Sequence, residues 1–301
     1  MEEKFNHEKN LSLISEMNNR AQNDVKKERH NAVCRLKVYF IDLFMLLVAT
    51  KRLFSLLFAC LVLFSGSVCG KPANDSLLYH IQDKIYGAFL SSFQDNRVTR
   101  LNELQIRIKK LPVQNQITSY WLAYAKYYEA VYYIKFNNRK MCNKTVSSAI
   151  DLLEKTKNKN SEMYALLAFI QNFSIQVSGG MSAATIASKA QKNADAALQL
   201  DSANIRAWYV LASNDYYTPV AFGGGKKCEQ YLLKAISLEE QTVANPYYPN
   251  WGKSDAYSML IAYYIEKEKY NKAREYLHAA LSLYPDNYMI KQYIEALEDK
   301  E

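Results

Sequence analysis

Chemistry, if the chain performs any, would have to be assembled from few reactive residues. Outside the polar N-terminal stretch only His80 and His278 carry imidazoles, and they stand far apart in the sequence. No HExxH, paired CxxC, GxSxG or GxxxxGK[ST] pattern is present. The spacings that build a metal-activated water, a thiolate metal site, a nucleophile elbow or a P-loop are therefore missing. Gly223-Gly224-Gly225-Lys226-Lys227 comes nearest to a functional motif, because glycine amides before a helix N-terminus attract anions. A P-loop needs Ser or Thr after its lysine, and Cys228 follows here. A turn requiring positive φ is the simpler reading. Cys142 and Cys228 make no metal-binding spacing, and sequence alone does not say whether they pair. The expectation is a protein without catalytic residues, metal or cofactor.

Composition points to helices. The chain has 301 residues with 24 Tyr but only 9 Gly and 6 Pro, so breakers are scarce and amphipathic rings abundant. That balance favours long helices with half-buried faces over a β-sandwich. The net charge is +8, yet basic residues are scattered among acidic ones, which argues against a nucleic-acid surface.

Periodicity then supplies the elements. In residues 254–287, Tyr257, Leu260, Ile261 and Tyr264 form one helical stripe; Ala273, Leu277, Ala280 and Leu281 form a second, closed by Pro285. This order of large and small residues resembles the 34-residue tetratricopeptide repeat (TPR), with Tyr257 where Trp is commoner and Ile261 where a small residue is usual. Upstream, Trp121, Tyr124, Ala125 and Tyr128 pair with Ala149 and Leu153. Tyr164, Leu167 and Ala168 pair with Ala190, Ala194 and Ala197, and Trp208, Leu211 and Ala212 with Cys228, Leu232 and Ala235. Cys228 thus falls where the repeat wants a small buried residue, and a buried free thiol is expected. The first-helix positions Trp121, Tyr164, Trp208 and Tyr257 are 43, 44 and 49 residues apart, which predicts TPR-like hairpins stretched by inserted loops. Ser178-Gly179-Gly180, Phe222-Gly223-Gly224-Gly225 and Asn245-Pro246-Tyr247-Tyr248-Pro249-Asn250-Trp251-Gly252 mark those insertions. Asn74-Asp75-Ser76 offers a cap for a helix to about Phe93 bearing Leu78, Ile81, Ile85 and Phe89. Another helix follows from Val98 to Lys110 with Leu101, Leu104, Ile106 and Ile108, and residues 287–297 predict a terminal capping helix.

The resemblance implies an all-α, right-handed superhelix of antiparallel helix pairs with irregular inserted loops, spanning residues 71–301. It also implies an interaction scaffold whose first helices line a concave groove. One residue off the packing stripe, that geometry nominates Lys126, Glu129, Asn172, Arg206, Tyr209, Ser213, Tyr216, Asp255 and Ser258 as groove residues. Arg206 beside Tyr209 and Tyr216 would suit a peptide carboxylate or a sugar.

The N-terminus predicts export. Residues 1–35 are polar and mixed in charge, and residues 36–50 are largely apolar. Lys51-Arg52, the apolar run 53–64 and the small residues of Ser65-Gly66-Ser67-Val68-Cys69-Gly70 have the layout of a signal peptide over 51–70. Residues 1–50 then read as an extension, with Met45 a candidate true start. Val68 departs from the lipobox before Cys69, so a lipid anchor there is not favoured. A membrane anchor over 36–64 would have to bury Lys51 and Arg52. The expected function is that of an envelope-exported, non-catalytic scaffold binding a protein or peptide segment. The alternative is a small-ligand-binding transport component, because the glycine loop and Pro249-Asn250-Trp251-Gly252 resemble the T component of tripartite (TRAP) transporters.

Overall fold

The computed structural model describes residues 77–112, 115–240, 245–298 and 300. The expected extension, signal peptide, Cys69 and the Asn74-Asp75-Ser76 cap lie outside these residues. The compact unit Lys71–Glu301 holds all the described helices. They are α1 (Ile81–Asp95), α2 (Thr99–Lys109), α3 (Gln116–Lys135), α4 (Arg139–Lys155), α5 (Ser161–Ser174) and α6 (Gly180–Leu200). After them come α7 (Ile205–Tyr217), α8 (Cys228–Ser237), α9 (Lys253–Glu266), α10 (Tyr270–Leu283) and α11 (Tyr288–Glu298). Among the described residues there is no strand, and no helix is long and apolar enough to cross a membrane.

Asparagine does much of the work that glycine does elsewhere. Asn115, Asn138, Asn160 and Asn204 cap α3, α4, α5 and α7, each side chain accepting from a backbone N–H three residues on. Each such cap contributes about 1 kcal/mol. Asn96, Asn137 and Asn158 take positive φ in the tight links between helices, a conformation asparagine tolerates better than most residues. A chain poor in glycine can therefore still turn sharply.

Each even-numbered helix packs on the odd helix before it and the odd helix after it, and consecutive odd helices also touch. The result is two layers, with the odd helices side by side. Alanine sets the close approach between them: Ala165, Ala168, Ala190, Ala194, Ala197, Ala207 and Ala212 are all fully buried. The apolar stripes read from sequence are buried in the core or, like Leu78, Phe89, Tyr128, Tyr164, Trp208 and Leu281, half-buried against it, with one exception. Ile106 is 49% exposed, on the opposite side of α2 from Leu101, Leu104 and Ile108. Cys142 and Cys228 are both buried free thiols. Burial, with Asp215 beside it, pushes the Cys228 thiol up to about 12.

The long repeat spacing has a different origin from the one expected. Between Trp121 and Trp208 it comes mainly from long helices, α3 with 20 residues, α4 with 17 and α6 with 21. Ser178-Gly179-Gly180 is no insertion, because Gly179 is simply the cap residue of α6. Among the described residues, true inserted loops occur only around α8.

The first of these holds the glycine run. Gly223 and Gly225 have φ of 89° and 75°, and a Cβ on Gly224 would lie 1.9 Å from the Thr218 carbonyl oxygen. The amides at the start of α8 are already answered, since the Asp215 carboxylate of α7 accepts from Lys227 N and Cys228 N at 2.9 and 2.8 Å. An internal carboxylate occupies the place a bound anion would take. Asp215→Ala is expected to cost about 1–2 kcal/mol, the usual loss for a helix cap, with fraying of α8. Amide hydrogen exchange would check this, and unchanged protection at Cys228 would contradict it.

Candidate ligand-binding site

The second inserted loop, residues 245–252, lies across the N-terminal ends of the odd helices. Its backbone meets α1 twice: His80 N donates to Pro246 O at 3.1 Å, and Asn250 N donates to the Gln82 side chain at 3.0 Å. Trp121 of α3 donates its indole N–H to Tyr247 O at 2.8 Å. The Trp251 indole in turn donates to the Tyr120 hydroxyl at 2.8 Å. Arg206 of α7 donates through Nη1 to Trp251 O at 2.9 Å. The loop is thus a strap whose buried Trp251 lies among the odd helices.

Gly252 ends the strap because nothing else fits. Its φ is 112°, and an added Cβ would stand 2.9 Å from Arg206 Cγ. Gly252→Ala is expected to destabilise the protein by about 1–3 kcal/mol, from the strained backbone and from the displaced arginine. Thermal unfolding tests this, and an unshifted midpoint would show that the strap relaxes freely.

Arg206 is itself 1% exposed, as its setting requires. Its guanidinium forms a buried ion pair with Glu162 of α5 through Nε and Nη2. Asn204 donates to Ser161 Oγ at 2.8 Å and to Glu162 at 3.1 Å, and Ser161 donates to Ala197 O at 2.8 Å. Desolvation disfavours the arginine charge, but the Glu162 carboxylate more than compensates, so the Arg206 pKa lies above its ordinary value.

On Trp251 and the walls beside it stands a continuous array of rings. Trp251 contacts Tyr124 of α3, Phe169 of α5 and Tyr209 of α7, with centroids 6.0, 4.8 and 6.5 Å away. Tyr127 joins Phe169 and Phe173 at 4.8 and 5.1 Å. Tyr128 joins Tyr124 at 5.1 Å, Phe89 at 4.7 Å and Tyr86 at 5.9 Å. Tyr124 and Trp251 are buried, whereas Tyr127, Tyr128, Phe89, Phe169, Phe173 and Tyr209 are half-buried and Tyr86 is 44% exposed. A core would bury all of them; this array keeps one side open. Burial raises the pKa of Tyr124, Tyr127, Tyr128 and Tyr209, so these phenols stay protonated.

Asp255 stands in the first turn of α9 and caps that helix next to the strap. Its Oδ2 accepts from Gly252 N at 2.8 Å. Burial raises its pKa, against the stabilising backbone N–H groups, and its charge acts on Tyr86, Tyr124, Tyr127, Tyr128 and Tyr209.

The residues nominated from sequence separate into several places. Tyr209 belongs to the array, Asp255 caps α9 through Gly252 N beside the strap, and Ser213 is half-buried one turn on from Tyr209. Arg206 does not belong, because its carboxylate partner is internal and no charge is left for a ligand. Lys126 and Glu129 face α2 instead: Gln105 donates to Glu129 at 2.7 Å, and Lys109 acts on Lys126. The helix pair α1–α2 packs ahead of α3 and takes up that side. Asn172 donates to Val210 O at 3.3 Å between α5 and α7, leaving its buried Oδ1 without a partner. Tyr216 hydrogen-bonds Glu266, and Ser258 lies 3.4 Å from both Met289 O and the Tyr293 hydroxyl, so both turn towards neighbouring helices. Sequence reasoning missed Tyr127, Phe169, Trp251 and Tyr86. It read Tyr124 and Tyr128 only as packing residues. The signal was present in the tyrosine count and in the aromatic strap, but which rings converge depends on the third dimension.

A separate open cleft of about 560 Å³ lies outside the array, between the start of α3, Thr156, Lys157, Asn160 and Tyr248. His80 and His278 are exposed, and among the described residues no His, Cys, Asp and Glu cluster could hold a metal.

The chain matches no protein-family model and no curated protein. Among solved structures, the HusA haemophore from Porphyromonas gingivalis is similar over 62% of this chain and 94% of that one, with 23% identity and a TM-score of 0.47. A likeness at that level carries neither fold nor ligand from that protein to this one.

Proposed function

We propose that the protein is a non-catalytic binding protein, exported to the cell envelope, that seats a small ligand with a flat apolar face on the ring array. The observation that carries this reading is the half-open aromatic surface formed by α1, α3, α5, α7 and Trp251. Rings held at 4.7–6.5 Å by their backbone and by each other are pre-organised, so little entropy is lost when a ligand binds. A sugar site would need more amide and carboxylate groups around the rings than are found here. The helix pairing supports a TPR-like superhelix with the odd helices on its concave side. Export is supported by the leader pattern over 51–70. A peptide held by its carboxylates loses its best anchor once Arg206 is paired with Glu162, and that reading ranks second.

Titration of the purified protein with Nile red, a flat neutral probe, is the test. Saturable binding is expected, weakened about tenfold or more in Tyr127→Ala with Phe169→Ala, because each truncated ring removes roughly 1 kcal/mol or more of stacking contact. Circular dichroism controls for folding. Displacement by acidic peptides but not by planar aromatic compounds would favour the peptide reading. Absence of saturable binding would remove the array as a site.

A further inference from the structure

The most exposed large apolar side chains of the described residues gather on one loop. Tyr217, Val220 and Phe222 are 75%, 78% and 82% exposed, at the end of α7 and in the 3₁₀ turn Val220–Phe222 that follows it. Pro219 and Ala221 between them are exposed as well. The loop is held out by its own bonds. Thr218 Oγ1 donates to Asn214 O at 2.7 Å, Phe222 N to Pro219 O at 2.8 Å, Gly223 N to Val220 O at 2.9 Å and Gly225 N to Asp215 O at 2.8 Å. With Gly224 pressed on Thr218, these bonds fix the base of the glycine run while its apolar tip stands in water. A tip ordered beforehand loses little entropy when it is covered.

Basic residues follow the tip directly. Lys226 and Lys227 are exposed, and neither forms an ion pair among the described residues. The carboxylates around the start of α8 are already engaged. Asp215 is held by the α8 amides, Glu229 by Lys269 and Lys272 at 4.0 and 3.3 Å, and Glu266 by Tyr216 and by Lys267 at 3.7 Å. The two lysines thus present positive charge just behind an apolar tip. At about 200 Å² per aromatic side chain, two rings and a valine offer roughly 500 Å², short of the ~800 Å² that each partner gives to a stable protein interface. A bilayer needs no matching surface. It closes round a small apolar wedge, and anionic head groups attract the lysines beside it.

We infer that the loop 217–227 is a membrane-contact site, with Val220 and Phe222 entering the acyl boundary of an anionic bilayer while Lys226 and Lys227 meet the lipid phosphates. Tyr217 lies at the head-group level, its ring in the apolar layer and its hydroxyl in water. The contact is peripheral, and no covalent step is involved.

Fluorescence quenching in the full chain tests this. Phe222→Trp puts an indole at the tip, and vesicles of phosphatidylcholine and phosphatidylglycerol with brominated acyl chains quench it only if it enters them. The parent chain, titrated alongside, gives the contribution of its own tryptophans, and bilayer contact by another segment adds no quenching at position 222. Quenching beyond the parent is expected on these anionic vesicles. Half-effect should need about tenfold or more lipid when Lys226→Gln and Lys227→Gln are added, or when the vesicles are phosphatidylcholine alone. All these side chains lie outside the core, so the fold should be kept, and circular dichroism checks it. Absence of extra quenching overturns the proposal. Equal quenching on neutral vesicles, or with both lysines replaced, overturns the anionic bilayer as the occupant. Absence of extra quenching together with a self-association that Phe222→Ser abolishes in sedimentation overturns it in favour of a second copy of the chain.

Discussion

Arg206→Ala is expected to lower the free energy of unfolding by about 3–5 kcal/mol, the usual cost of leaving one half of a buried ion pair behind. The partner left behind is Glu162, shut in with Asn204 and Ser161 and, among the described residues, with no other cation bonded to it. The strap also loses a donor, because Arg206 holds Trp251 O. Urea denaturation measures the effect. A loss below about 1 kcal/mol would mean that water reaches Glu162 and the pair is effectively a surface one. Replacing both partners with apolar residues of similar size, Arg206→Met with Glu162→Leu, should cost much less than either single truncation.

Trp251→Ala should cost a similar amount, about 3–5 kcal/mol, by emptying a large-side-chain site that Tyr124, Phe169 and Tyr209 surround. It should also abolish Nile red binding, because the ring that stands against those three walls is gone. Trp251→Phe keeps a ring but leaves the Tyr120 hydroxyl without its indole donor, and should lose less stability while keeping most binding. Intact binding in the alanine variant would show that the ligand lies elsewhere. Since the guanidinium of Arg206 lies 6.0 Å from the Trp251 ring, the Arg206 and Trp251 losses should not add. A double-mutant cycle would register the coupling.

The core was legible in the sequence because its pattern is local. Stripes such as Ala273, Leu277 and Ala280 repeat at helical spacing, and the structure buries them all. Cys228 was legible for the same reason. The site was less legible because its residues gain their roles from distant partners. Arg206 stands one residue off the stripe like any groove residue, and only the presence of Glu162, 44 positions away, turns it inward. Lys126 and Glu129 were assigned to the groove because they too stand one residue off the stripe, whereas α2 packs on that side and its Gln105 bonds Glu129. Trp251 lies in a stretch with no periodicity at all, so pattern could mark the loop as irregular but not say what it touches.

The strap has a consequence for how the molecule comes apart. A stack of helix pairs is close to a one-dimensional lattice, in which each unit feels its immediate neighbours and the ends melt first. Here the stretch just before α9 is hydrogen-bonded to α1, between positions 168 apart in sequence, and to Trp121, 126 positions away. That closes the lattice into a loop. Opening the C-terminal pairs must release the N-terminal ones, so the described helices should melt in one cooperative transition, whereas an open array would fray from each end. Hydrogen exchange should then show α1 and α9 opening with the same free energy, and Gly252→Ala should separate them.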